Sequence, residues 1–273
     1  MSSFPENTKA GEPRQNWKLV LAYDGADFRG WQVQPDQPTV QGELSNAIER
    51  VTGERVLPQG SGRTDAGVHA LGQVASFELA ARIPPENLLR ALNRTLPESI
   101  RILSAEIALP NFHARHSALE KTYEYRIFRG EICPPTLARY VYALNWPLDV
   151  EAMARAAALV IGEHDFTSFA ANDPDVASRE AGLISQQDCI RTIRESRWII
   201  ESSQLTYRVT GSGFLHHMVR NLVGTFLDVG RGRIAAQSIP AILATRSRSA
   251  AGPTAPARGL FLVCVKYSAQ SID

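Results

Sequence analysis

The stretch Gly60-Ser61-Gly62-Arg63-Thr64-Asp65-Ala66-Gly67-Val68-His69-Ala70 gathers three glycines, one carboxylate, one arginine and one histidine into eleven residues. Such a density of small residues does not make a regular strand or a mid-protein helix. Both flanks read as ordered, so the stretch is a loop held between structured elements, where sites are usually built. On composition alone, Asp65 capping a tight turn is the plain alternative, since Asp and Gly are ordinary turn residues. A P-loop is excluded because no Lys is present, and a dinucleotide fingerprint because a strand rather than a helix follows. What remains is a carboxylate serving as nucleophile or base, with Arg63 two residues away to keep it ionised or to hold a phosphate.

Three further groups carry potential chemistry. Phe214-Leu215-His216-His217-Met218-Val219-Arg220 reads as the start of an apolar helix. An arginine there needs an anionic partner if buried, and Asp65 or a phosphate would serve. His216 and His217 would diverge on a helix, with no carboxylate at ligand spacing, so the pair does not read as a metal site; neither do His113 and His116. Lys121-Thr122-Tyr123-Glu124-Tyr125 puts two aromatics on one strand face. Core packing is the default for that face, and stacking an extruded base is the alternative. Arg115, between His113 and His116, is either a solvated loop cation or a phosphate contact. Phe28 and Trp31 are either core plugs or stacking platforms.

The elements that must position these groups follow from periodicity. Alternation predicts strands over 17–24, 72–79, 100–109, 121–129, 190–200 and 204–210, with a closing apolar strand over 260–267. Val56-Leu57 suggests a short strand before the glycine loop. Helices are expected after Thr39 as N-cap, from Pro84-Pro85-Glu86, over 151–161, over 214–229 and near 238–245. Residues 162–188 form a long polar segment, and 246–259 a loop rich in Ala, Pro, Ser and Arg. The class is α+β, with two sheet-and-helix halves, 17–115 and 116–273, packed around a cleft. Residues 1–16 read as a disordered tail without a signal-peptide core.

The chain has 273 residues, with 29 Lys+Arg against 28 Asp+Glu. A basic surface must therefore come from segregation of charge rather than from its sum. Cys133, Cys189 and Cys264 form no ligand spacing, which suits a reduced, cytoplasmic protein without disulfides or a zinc site. No apolar run approaches a membrane span.

Six segments in order carry a resemblance. Gly62-Arg63-Thr64-Asp65-Ala66-Gly67-Val68-His69 is similar to the catalytic loop of the tRNA pseudouridine synthase A family. Phe28-Arg29-Gly30-Trp31-Gln32, Phe112-His113-Ala114-Arg115, Lys121-Thr122-Tyr123, Phe214-Leu215-His216-His217-Met218-Val219-Arg220-Asn221 and Ala255-Pro256-Ala257-Arg258-Gly259-Leu260 agree as well. The resemblance implies a cofactor-free isomerase that converts uridine to pseudouridine at positions 38, 39 and 40 of the tRNA anticodon arm. It implies a homodimer with tRNA crossing both subunits, and a mixed sheet with helices on one face. Asp65 is then the catalytic carboxylate, whether it attacks C1′, adds to the ring or removes a sugar proton. Arg220 pairs with it, Tyr123 stacks on the flipped base and acts as a late base or acid, and Leu260 walls the uracil pocket. Arg63 and Arg115 contact RNA. His116 departs from the Phe usual at its position in the family. Two rival classes remain. A non-catalytic RNA-binding protein gives Asp65, Tyr123 and Arg220 no reason to coexist, and a carboxylate-nucleophile hydrolase or phosphotransferase calls for a second carboxylate or a metal site.

Overall fold

In a computed structural model of the chain, residues 14–171 and 189–268 are described. The expected tail up to residue 13 and most of the long polar segment lie outside them. The described residues form one ten-stranded mixed sheet and six α-helices. The strands are β1 (Gln15–Tyr23), β2 (Gln59–Gly60), β3 (His69–Leu79), β4 (Ile100–Ile107), β5 (Ala118–Phe128), β6 (Tyr142–Ala143), β7 (Gly162–Asp165), β8 (Ile190–Glu201), β9 (Gln204–Gly211) and β10 (Leu260–Tyr267). The helices are α1 (Val40–Thr52), α2 (Pro85–Thr95), α3 (Pro135–Ala138), α4 (Val150–Ala158), α5 (Met218–Gly230) and α6 (Ile239–Thr245). The main path runs β4-β1-β3-β10-β5-β9-β8-β7, with β2 added to β3 and β6 to β5.

Within the sheet, the described strands of the two halves pair at one seam. Strands β1 to β4 come from the first half and β5 to β10 from the second, and β3 joins β10 in parallel through His69↔Phe261 and Ala70↔Leu262. That seam lies at the end of the glycine-rich loop and at the start of β10, so the fold itself brings Asp65 and Leu260 together.

Period-2 alternation sorts the faces. Trp17, Leu19 and Leu21 of β1 join Leu44 and Ile48 of α1, Leu88 and Leu92 of α2, and Leu222 and Phe226 of α5 in one core. The helices therefore cover one face. Val74 points the other way, into a small cluster with Ala108, Phe112 and Ala114, beneath the connector that carries Arg115.

Expected bounds shift at several places: β3 opens at His69 and β5 at Ala118, each three residues early, and the first residues of the long polar segment form β7. Strand β1 begins at Gln15, two residues early, because Asn16 is buried and its amide donates to the Leu109 and Phe112 carbonyls at 2.9 and 2.8 Å. The short strand before the loop is Gln59–Gly60, not Val56-Leu57. A further shift, at the start of α5, bears on the site. Among the described residues no helix is long and apolar enough to cross a membrane.

Candidate active site at the sheet seam

Helix α5 starts at Met218, not Phe214. His217 precedes it at φ +57, in the left-handed region, so the chain turns sharply there. Two adjacent helical residues would diverge, but His216 and His217 are not helical. Their rings lie 3.9 Å apart, and both aim at Asp65: His216 Nε2 is 3.6 Å from Oδ1 and His217 Nε2 is 3.3 Å from Oδ2. Burial holds the His217 imidazole below its ordinary pKa, and the Asp65 charge pulls the other way.

Arg220 is the partner of the carboxylate. Helix α5 buries every residue except Arg220 and Asp228. The Arg220 guanidinium donates from Nη1 to Asp65 Oδ2 at 2.8 Å and from Nε to the Ala255 carbonyl at 2.8 Å. Arg63, the nearer arginine in sequence, donates from Nε to Gln32 Oε1 at 3.1 Å. The loop containing Ala255 crosses α5 at Gly224, where a Cβ would lie 1.6 Å from the Pro253 carbonyl oxygen, so only glycine fits. Buried Asn221 fastens the same crossing, accepting from Arg248 and Thr254 at 3.0 and 2.6 Å.

Asp65, His216 and His217 are also the ligand types of a metal site, with donor atoms all within 4.8 Å of one another. The Arg220 charge already sits on that carboxylate, and a metal cation would compete with it.

The loop itself is held from below by one amide. Gln73, fully buried on β3, donates from Nε2 to the Gly62 carbonyl at 2.9 Å and to Tyr23 Oη at 3.4 Å. Its Oε1 accepts from Ser61 Oγ at 2.6 Å and from the Val74 N–H at 3.1 Å. Tyr23 Oη in turn lies 2.9 Å from Thr64 Oγ1, next to Asp65. This uses the full donor and acceptor inventory of a primary amide at both ends of a short loop. Gly67 turns the loop at φ +78. Of the three loop glycines only Gly62 lines the large cavity, so the glycines serve the turn and internal packing more than close approach of a ligand.

That cavity has a volume of about 640 Å³. Asp65 is the one carboxylate in its described lining, facing Arg29, Arg63, Arg115 and Lys121. Tyr123 and Leu260 form its apolar side, and the Tyr123 ring meets Phe214 edge-on at 5.0 Å. All six residues singled out in the sequence thus converge: Asp65, Arg63, Arg115, Tyr123 and Leu260 line one cavity, and Arg220 anchors Asp65 from behind. Tyr125 does not take part. It is wholly buried and its hydroxyl donates to the Pro256 carbonyl at 2.8 Å, so one of the paired tyrosines faces the site and the other is core. Phe28 and Trp31 are buried plugs at 7% and 1% exposure.

Protonation states follow from burial. The Tyr123 phenol is pushed far above its ordinary pKa by desolvation first, then by Tyr23 and the Asp65 charge. It stays protonated near neutrality, a neutral hydroxyl that can donate a hydrogen bond, and the same burial makes surrender of its proton harder. Lys121, missed as a functional residue although its motif was visible, donates to the Ser61 carbonyl at 2.6 Å, and burial pulls its pKa down to about 8, with Arg115 and Arg191 adding to the shift. Arg115 is exposed, on a turn whose Arg115 and His116 N–H groups both donate to His113 Nδ1, at 3.1 and 3.3 Å.

The chain is similar to known proteins over most of its length. A family model described as tRNA pseudouridine synthase matches residues 20–117 and 156–268. A tRNA pseudouridine synthase A of Solibacter usitatus is 52% identical over 251 residues, covering 92% of this chain and 98% of the relative. A protein of that name from Moorella thermoacetica is 48% identical over 252 residues, covering 92% and 98%. One from Desulfotalea psychrophila, named tRNA pseudouridine synthase A 1, is 41% identical over 254 residues, covering 93% and 100%.

Proposed function

The chain belongs to the tRNA pseudouridine synthase family, and we propose from that premise that Asp65 isomerises uridines in the anticodon arm of tRNA, at positions 38, 39 and 40. The enzyme is an isomerase converting uridine to pseudouridine in tRNA. The C1′–N1 bond breaks, a C1′–C5 bond forms, the C5 hydrogen leaves to solvent and N1 gains a proton. Atoms and electrons balance without a redox partner or co-reactant. The observation that carries the residue assignment is the single carboxylate among the described residues of the cavity lining, fixed at 2.8 Å by Arg220 and faced by four cations.

A base inside a stem must be extruded before its glycosidic bond is reachable. Arg63 and Arg115 hold the RNA backbone, Tyr123 stacks on the extruded uracil and Leu260 closes the pocket against it. The protonated phenol gives Tyr123 the role of hydrogen-bond donor rather than base. Tyr123→Phe keeps the ring and loses the donor, and it is expected to lower kcat about 10²-fold, the low end for removing one hydrogen-bond donor to developing charge. Single-turnover rates on one tRNA check this, with KM changing little because the stacking surface remains.

Phosphate contacts make tRNA binding fall steeply with salt. Arg63→Gln and Arg115→Gln are each expected to flatten the slope of log K against log salt by about 0.7–0.9, read from binding titrations across a salt series. The charge on Lys121 is present below its depressed pKa of about 8 and is lost as pH rises through it. KM for tRNA is therefore expected to rise above about pH 8, while Lys121→Arg, charged throughout, stays flat over the same range.

We also infer that the protein acts as a homodimer in the cytoplasm, an inference supported by the family resemblance. The positional claim is tested by mapping pseudouridine in unmodified tRNA transcripts treated with the enzyme. Modification confined to 38, 39 and 40 supports it, and modification elsewhere in the tRNA refutes it.

A further inference from the structure

Four described residues other than glycine have positive φ, Asp36, Ser202, His217 and Arg246, and of these His217 alone lines the large cavity. It stands just before α5 at φ +57 and ψ +4. Glycine reaches that region at no steric cost, and Ser, Thr, Asp or Asn serves best in front of a helix. Histidine is favoured on neither count, and its side chain makes no capping bond. The backbone around it is tied down on both sides. The Ala171 N–H donates to the His216 carbonyl at 3.0 Å, the Met218 N–H to Leu215 at 3.1 Å and the Asn221 N–H to His217 itself at 2.9 Å. A strained angle that its surroundings hold in place, in the lining of a site, points to a use for the side chain.

What the angle achieves is the placement of a ring. His217 Nε2 lies 3.3 Å from Asp65 Oδ2, the oxygen to which Arg220 Nη1 donates at 2.8 Å. The His216 ring packs on the His217 ring with centroids 3.9 Å apart and a tilt of 33°, which braces it from the side. One donor on a carboxylate oxygen leaves the group free to swing about that contact, whereas two donors from different directions fix it. Hydrogen bonds to the charged form also favour that form, and a catalytic group held in its productive geometry spares the reaction the cost of orienting it.

We propose that His217 is a positioning residue for the isomerisation, clamping Asp65 Oδ2 together with Arg220 so that the carboxylate meets the uridine ionised and in one orientation. This rests on the reading of Asp65 as the catalytic carboxylate. It makes the left-handed turn before α5 a part of the catalytic apparatus rather than a way of starting a helix.

The test uses the full-length enzyme and tRNA carrying [5-³H]uridine, with kcat and KM read by tritium release and stability by melting curves. His217→Gly removes the ring and relieves the strain at once. It is expected to lower kcat about tenfold, the low end for losing a hydrogen bond to a charged group, with KM nearly unchanged and Tm equal to or above that of the wild type. His217→Gln keeps the strain and carries an amide N–H to about the reach of Nε2. It is expected to return kcat to within about threefold of the wild type, with Tm no higher than that of His217→Gly. Rate and stability then move in opposite directions, which a role in the turn alone does not produce. An unchanged kcat in His217→Gly, a loss carried by KM, a glutamine variant no faster than the glycine variant, or rates that follow Tm overturns the clamp while leaving the isomerase intact. Absence of any conversion by the wild type overturns both.

Discussion

Asp65→Asn is expected to lower turnover by at least ~10⁴-fold, the scale seen when one essential catalytic carboxylate is removed, while tRNA affinity stays within a few-fold. The amide has the shape of the carboxylate and its oxygen can still accept from Arg220 Nη1, so the pair at 2.8 Å need not collapse. What the variant loses is charge and basicity. Attack on C1′, addition to the ring and removal of a sugar proton each require the carboxylate, so the prediction is the same for all three. RNA affinity is expected to come from other groups, principally the cations Arg29, Arg63, Arg115 and Lys121 that line the cavity. Paired single-turnover and binding measurements read the two quantities apart.

Arg220→Met is expected to lower kcat about 10³-fold and to destabilise the protein by about 3 kcal/mol, the lower end for breaking a buried ion pair. The arginine and Asp65 side chains are 15% and 19% exposed, so solvent compensates only part of the loss. The guanidinium does two things at once: Nη1 holds Asp65 and Nε holds the Ala255 carbonyl on the loop leading to Leu260. Lysine can restore the charge but cannot make both bonds in that fork geometry. Arg220→Lys is therefore expected to recover most of the stability and only about tenfold of the rate. Melting curves beside kcat distinguish this from a general loss of fold, in which lysine would restore both together.

The α+β class, the strand alternation and the glycine-rich loop were legible in the sequence because each depends on local pattern, whereas a catalytic role for Asp65 entered only with the family resemblance. Asp65 and Arg220 are 155 residues apart, so their pairing was open on the residues alone, with a phosphate as the rival partner. The start of α5 was misread for a definite reason. Phe214 extends the apolar stripe one turn backwards, and periodicity does not register that His217 adopts φ +57. That single backbone angle turns two apparently divergent histidines onto one carboxylate. The extra residues of β1 were invisible because Gln15 and Asn16 are polar; cross-strand pairing to Leu79 and Glu78 and the carbonyl partners of Asn16 hold them in the sheet. Gln73 and Lys121 gave no signal as supports of the loop. A buried amide in an alternating strand looks like an ordinary polar residue until its partners are known.

The central claim is that the cavity at Asp65 converts uridine to pseudouridine in tRNA. It is tested most directly by incubating tRNA carrying [5-³H]uridine with wild-type enzyme and with Asp65→Asn, each at saturating concentration. The account predicts tritium release by the wild type, matched mole for mole by pseudouridine formed, and none from Asp65→Asn bound to the same tRNA. No release by the wild type, or release at the wild-type rate by Asp65→Asn, would contradict it.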